Sequence, residues 1–289
     1  MLNDVIQELR AQQATEAKPV VSRRLYEALR DGWMEARTIS FDAYPDLPNI
    51  YFRASELHLL CPRLVALARR QPIVQVFDAE TLWTFDLGHG YHHALQRGGA
   101  QIAGGTFLGW WKRYEGDRKI VVKGAEGGVC PRPEGDDWAF EEVLLVDEKL
   151  HLCGHGDGVI EWADGGRESQ EFKSIHSRFV NRINPAVGGV PVDKHVAQVH
   201  AYMGMQGVDR YRITYAIKTS DPMELVLFEH EGQRDERILD KQRELLGACA
   251  KARDISPKGL LPDKLAECNK ASCPRAQRCP GRQRCFKAL

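Results

Sequence analysis

The sequence predicts an α/β or α+β protein: a β-meander and further strands flanked by helices, with a helical N-terminal segment and a cysteine-rich C-terminal tail. Two observations carry this. Apolar residues recur at helical spacing near the start and again from residue 192 to 205, whereas between residues 143 and 175 the period shortens to that of strands. The composition agrees, since 289 residues with 43% hydrophobic and 28% charged side chains can bury a sizeable core.

Residues 1 to about 37 read as amphipathic helix, with Val5, Ile6, Leu9, Leu25, Leu29 and Trp33 at helical spacings, and Ile39 to Asn49 as loop. Ser55 is placed to cap a helix that carries Leu59, Leu60, Cys61, Leu64, Val65 and Leu67. Thr81 to Gln96 reads as a further helix despite Gly88 and Gly90, each of which costs roughly 1 kcal/mol against Ala. Gly98 to Asp137 shows no clear period. Val143–Val146, Leu150–Trp162 and Ser169–Ile175 read as a meander, with a strong turn at Ala163-Asp164-Gly165-Gly166. Val192–Met205 is expected to be helical, Arg210–Lys218 and Met223–His230 a strand pair, and Arg234–Arg253 a helix. No internal repeat interrupts this order.

The chain carries 40 basic and 40 acidic residues, so overall charge does not announce a nucleic-acid partner. From Lys251 onward, however, ten Lys/Arg face three Asp/Glu, a tail that is either a solvated edge or a phosphate contact through Arg275, Arg278, Arg282 and Arg284. No apolar run approaches the roughly 18 residues of a membrane helix. The opening Met1-Leu2-Asn3-Asp4 lacks the basic region of a secretory signal, so the expected location is the cytoplasm. A Gly-x-x-x-x-Gly-Lys-Ser/Thr loop is absent, so no motor is expected in the chain.

Three patterns point to chemistry. Gly154-His155-Gly156-Asp157 is followed by Glu171-Phe172-Lys173. On a strand, Glu171 and Lys173 share a face with Phe172 opposite, and Asp157 lies on the preceding strand of the same hairpin. Two converging carboxylates suit a hard cation, and a neighbouring lysine can steady developing negative charge. The alternative is an exposed hairpin of alternating charge. The second pattern, Gly88-His89-Gly90-Tyr91-His92-His93, offers imidazole ligands or ordinary surface histidines. In the third, Gln198 and Tyr202 stand one helical turn apart, either as a base-stacking pair or as a plain helix face.

In this order the motifs resemble the RecB-type branch of the PD-(D/E)XK nuclease superfamily, over roughly residues 51 to 205. The resemblance implies a restriction-endonuclease-like core at 51–255, after a helical segment at 1–50 and before a tail at 256–289. It implies Asp157, Glu171 and Lys173 as catalytic residues and Mg²⁺ or Mn²⁺ held by His92, Asp157, Glu171 and the Phe172 backbone carbonyl. Gln198 and Tyr202 would lie beside the DNA. Glu142 or Glu141 sits where relatives carry a further acid. The implied activity is exonucleolytic hydrolysis of DNA, on single-stranded ends, in recombination, repair or processing. A helicase or a recombination or CRISPR partner would supply any unwinding, in a bacterial or phage setting.

Cys61, in Cys61-Pro62-Arg63, and the tail extend the resemblance to the iron–sulfur subgroup: AddB-type, Dna-two-type and CRISPR-adaptation accessory nucleases. It implies a [4Fe–4S] cluster on Cys61 and three of Cys268, Cys273, Cys279 and Cys285, one cysteine more than needed. The rival is a structural Zn²⁺ on the four tail cysteines. Two other functions stay open: a non-catalytic nucleic-acid-binding adaptor with a structural metal site, and a zinc-stabilised hydrolase of another substrate. Cys130, Cys153 and Cys249 belong to no motif and are expected to be plain core or surface thiols.

Overall fold

The computed structural model describes residues 35–39, 51–99, 104–135, 137–218, 226–255 and 258–287. The expected N-terminal helix lies almost wholly outside these residues, as does the loop before Asn49. Its last few residues are instead part of strand β1 (Glu35–Ile39), which pairs with β3 (Ile73–Phe77). The chain divides into two compact units, Met1–Thr38 with Val74–Leu87, and Ile39–Ile73 with Gly88–Leu289. The second carries the predicted chemistry.

That unit is of mixed α/β class. Its main sheet runs β13 (Leu227–Gln233), β12 (Arg210–Lys218), β11 (Arg167–His176), β10 (Val159–Trp162), β4 (Gly105–Glu115), β5 (Arg118–Val122). Two short strands, β6 (Cys130–Pro131) and β7 (Ala139–Glu141), also pair with β4. β11 and β12 are parallel, and the other pairs are antiparallel. A smaller sheet holds β2 (Phe52–Arg53), β9 (Leu152–Gly156) and β8 (Val143–Asp147). The stretch from Gly98 to Asp137, unreadable by period, contains the long β4–β5 hairpin. Phe107 and Trp111 are buried on one face and Leu108 in the core on the other, so burial on both sides leaves no clean alternation to read.

The elements follow the expected order with two corrections. The helix expected from Ser55 begins at Pro62: α1 is Pro62–Arg70, while Ser55 sits in a single 3₁₀ turn, Ala54–Glu56. Cys61 is extended and Pro62 occupies the first helical position, where its missing N–H costs nothing, whereas inside a longer helix it would break the ladder. Helix α2 spans Ala79–Gly99, and α3 is the short turn Val180–Ile183. Helix α4 (Asp193–Gln206) leads into β12, and α5 (Glu236–Arg253) is capped by Asp235, whose side chain accepts the Arg237 N–H. The tail folds into α6 (Pro274–Arg278) and α7 (Arg282–Lys287).

Helix α4 is the spine of the unit. Val199 and Met203 pack with Ile213, Tyr215 and Ile217 of β12. Ala201 and Tyr202 face the opposite way into a core shared with Leu64 and Val65 of α1 and Leu246 and Cys249 of α5. A helix covered on two sides must satisfy its buried polar groups. Gln242 Nε2 accordingly donates to the Ala197 carbonyl at 2.7 Å, and His200 Nε2 accepts the Asp235 N–H at 3.2 Å.

The second correction decides where the site forms. Leu150–Trp162 is not one strand. It breaks at Asp157-Gly158, sending β9 to the small sheet and β10 to the large one. Gly158 has φ +134°, and a Cβ there would stand 2.4 Å from the Phe107 ring. Both the backbone conformation and the space therefore demand glycine. We expect Gly158→Ala to lose about 2–4 kcal/mol in urea unfolding, combining backbone strain with overpacking. Gly165→Ala, left-handed but facing open space, should lose only about 1 kcal/mol.

Candidate active site

The strand break aims Asp157 across the β10–β11 hairpin. Its Oδ2 accepts the Phe172 N–H at 2.7 Å, which locks the carboxylate to the strand that carries Glu171 and Lys173. Its Oδ1 lies 2.8 Å from His92 Nε2, and Asp157 is only 4% exposed. The other ring nitrogen of His92, Nδ1, lies 3.4 Å from Glu142 Oε1. His92 reaches inward from α2, its ring edge-on to Phe172, while His89 and His93 are exposed.

Of the acidic pair, Glu142 turns to the histidine. Glu141 turns the other way, onto Lys112 and Lys119 at 2.6 Å each. Neighbours on an extended chain point to opposite faces, so only one of two consecutive acids can join a site. Sequence reading left this pair undecided, and the cross-strand lysines that settle it come from the unreadable β4–β5 region.

Glu171 and Lys173 point to the same side of β11, and the Lys173 ammonium rests on Glu171 Oε1. Glu171 is fully buried, and its Oε2 has no hydrogen-bond partner among the described residues. Burial raises the Glu171 pKa, against the pull of Lys173, with the Asp157 charge adding to the rise. Burial works against the Lys173 charge too, but Glu171 and Asp157 outweigh it and hold the ammonium protonated. For His92, burial is likewise overcome by Asp157 and Glu142, which push its pKa up to about 10.

The atoms of His92, Glu142 and Asp157 lie within 4.8 Å of one another. Two carboxylates and one imidazole are a donor set that suits Mg²⁺ or Mn²⁺. A buried carboxylate oxygen without a partner, as in Glu171, is what a nearby cation would satisfy. The residues therefore fit a divalent ion, with Glu142 joining the expected ligands.

Gln198 and Tyr202 also come together, Nε2 donating to the tyrosine oxygen at 3.0 Å. Tyr202 is 2% exposed, however, and a Cβ on Gly154 would stand 2.8 Å from its ring. The ring packs against the β9 backbone and offers no face for a base to stack on, a correction to the base-stacking expectation. Sequence reading missed a neighbouring pair altogether. Tyr215, opposite Lys173 in the β11–β12 ladder, accepts the Val192 N–H and lies 3.0 Å from His195 Nδ1. Burial, then the charges of Lys173 and Lys194, lowers the His195 pKa to about 2, so that ring stays neutral.

Four of the five candidate cysteines, Cys61, Cys268, Cys279 and Cys285, share the lining of one cavity of about 560 Å³, and Cys273 is hydrogen-bonded to Cys268. Among the described residues, no three of these sulfurs lie within 4.8 Å of one another. Burial raises the Cys268 thiol to about 11 and also lifts Cys279, so a metal there would have to displace protons. Cys153 and Cys249 are fully buried, held up by burial at about 11 and about 12.

No protein-family model and no curated protein matches the chain. Among solved structures it is similar to an alkaline exonuclease from Laribacter hongkongensis, at 10% identity and TM-score 0.43, over 70% of this chain and 87% of that one. The same exonuclease in complex with dAMP gives 10% identity and TM-score 0.39, over 69% and 90%. A phage-related exonuclease from Haemophilus somnus 129PT gives 16% identity and TM-score 0.30, over 38% and 57%. At such values the likeness is one of coarse shape, and the chemistry has to be read from the chain's own residues.

The state of His92 has a measurable consequence in metal-free protein. A histidine whose pKa is raised on folding stabilises the fold fully below its unfolded value of about 6.5. That stabilisation fades as pH rises through the folded value of about 10. Relative to His92→Gln, the unmodified chain should therefore be more stable at pH 6 and lose that advantage toward pH 10. Urea midpoints across pH measure it, and parallel curves for the two proteins would show that His92 does not bridge the carboxylates.

Proposed function

We propose that the chain is a Mg²⁺- or Mn²⁺-dependent deoxyribonuclease of PD-(D/E)XK type, acting as an exonuclease on single-stranded DNA ends. The observation that carries this reading is the gathering of His92, Glu142, Asp157, Glu171 and Lys173 around the Asp157–Phe172 hydrogen bond. A non-catalytic adaptor has no need of a buried carboxylate with an unpartnered oxygen beside a buried lysine.

A divalent ion would supply a bound water of lowered pKa and neutralise phosphate charge. His92, Glu142 and Asp157 would hold it, with Glu171 completing the donors. His92 must give up its proton to become a ligand, so binding couples to proton release. Lys173 keeps its proton and can steady the negative charge that grows on the phosphate, a contribution of the kind that preorganised donors make. The Asp157–Phe172 hydrogen bond fixes the distance between the two halves of the site. Any unwinding would fall to a separate helicase partner, in a recombination, repair or CRISPR setting.

We read the cysteine cavity as the seat of a [4Fe–4S] cluster on Cys61 and three tail cysteines. A single zinc ion draws its thiolates to within about 4 Å of one another, given Zn–S bonds near 2.3 Å. A cluster spreads its thiolates over several irons. Support for the cluster reading is that Cys61 lines the same cavity as Cys268, Cys279 and Cys285, whereas a zinc ion on the four tail cysteines would not use Cys61.

End-labelled single and double strands incubated with Mg²⁺, Mn²⁺ or chelator test the activity. Asp157→Ala, Glu171→Ala and Lys173→Ala should each lose about 100-fold or more with the fold intact. Wild-type cutting by Asp157→Ala or Glu171→Ala would refute the assignment. For the second centre, Cys61→Ala should lose iron and melt at lower temperature, whereas Cys130→Ala should keep both. Zinc retained at full occupancy in Cys61→Ala would make the tail a zinc site.

A further inference from the structure

The tail arginines divide into two kinds. Arg275 Nη2 donates to the Leu60 carbonyl at 2.8 Å, and Arg284 Nη1 donates to the Gln71 carbonyl at 2.7 Å. These two are anchors that hold the tail against the segment around α1. Arg278 and Arg282 are different. Together with Lys194, from the first turn of α4, they line the cysteine cavity without an ion pair or side-chain hydrogen bond among the described residues. Asp193 is the single acidic residue of that lining.

Unpartnered cations gathered in one concave place repel one another and attract a polyanion. The repulsion is visible at Lys194, whose pKa is lowered first by burial and then by the charges of Lys173 and Arg278. Lys173 belongs to the carboxylate site and Arg278 to the tail, and Lys194 feels the charge of both. The start of α4 is tied to the strand beside Lys173, because Tyr215, opposite Lys173 in the ladder, accepts the Val192 N–H, while Lys194 and Arg278 line one cavity. Two further cations of the lining are engaged, Arg275 with the Leu60 carbonyl and Lys264 over the Phe286 ring. Lys194, Arg278 and Arg282 are exposed, so they can meet phosphates outside the cavity while its cysteines hold a cluster within. Exposed cations spaced along one path suit a flexible single strand, since a basic groove that tracks one backbone is how single strands are held.

We propose that Lys194, Arg278 and Arg282 form a binding surface for the phosphates of a single DNA strand whose scissile end lies at Lys173. This rests on the nuclease reading and adds to it the path of the strand and the split between anchoring and binding arginines.

The test is the salt dependence of binding. Fluorescence anisotropy of a labelled oligothymidylate is followed across salt concentration, using the full chain with Ca²⁺ in place of Mg²⁺. Each of Lys194→Gln, Arg278→Gln and Arg282→Gln should flatten the slope of log Kobs against log salt by about 0.7, the value for one single-strand phosphate contact. Arg284→Gln should leave the slope unchanged. Melting temperature and iron content are measured on every variant. Unchanged slopes in all three variants would overturn the proposal. So would loss of iron with an unaltered slope, which would assign the cations to balancing the charge of a bound cluster. If the unmodified chain still hydrolyses DNA in those cases, only the surface is refuted. If it neither binds nor hydrolyses DNA, the nuclease reading fails as well.

Discussion

The hydrogen bond from the Phe172 N–H to Asp157 Oδ2 is the constraint on which the site depends. It ties the point where the chain leaves the small sheet to the middle of a long central strand of the large one. On one side of that bond Asp157 meets His92 from α2, and on the other Phe172 is flanked by Glu171 and Lys173. A carboxylate with one oxygen engaged by a backbone donor cannot rotate away, so the second oxygen keeps its orientation toward the histidine. The bond forms only because Gly158 accepts a backbone conformation closed to other residues and lies flat against Phe107.

Charge is arranged around this bond with few spare partners. His92 stands between two carboxylates, and Lys173 is held by Glu171 and Asp157, so the cluster holds itself together as alternating ions. Burial makes each of these ions expensive to leave unpaired. The exception is Glu171 Oε2, which has no hydrogen-bond partner among the described residues. His195 shows the opposite solution within the same neighbourhood. Buried, and within reach of the Lys173 and Lys194 charges, it is kept neutral and is held by Tyr215 instead of by an acid.

The tail has too few apolar residues to form a core of its own, and it borrows one. Gly281 approaches Leu64 so closely that a Cβ there would stand 2.5 Å from the leucine methyl. Cys61 and Cys279 pack on the same α1–α5 core. Residues more than two hundred positions apart are thereby joined through α1, with Arg275 and Arg284 donating to backbone carbonyls near its two ends. The cysteine cavity and the carboxylate site are then linked through α4, whose first turn supplies Lys194.

Local pattern alone determined the mixed helix–strand class, helices α2, α4 and α5, and strands β8, β11 and β12, because each repeats its period for long enough to be read. The choice of Asp157, Glu171, Lys173 and His92 came instead from the order of the motifs and the resemblance it carries, since each pattern by itself left a plain reading open. The tertiary structure decided what pattern cannot carry. It broke the strand at Asp157, because a backbone angle at one glycine leaves no periodic trace. It chose Glu142 over Glu141, because the choice depends on Lys112 and Lys119 from strands distant in sequence. It buried Tyr202, because the absent side chain of Gly154 makes room for the ring. Finally, it separated Arg278 and Arg282 from Arg275 and Arg284, which look alike along a basic tail and differ only in whether a backbone carbonyl lies within reach.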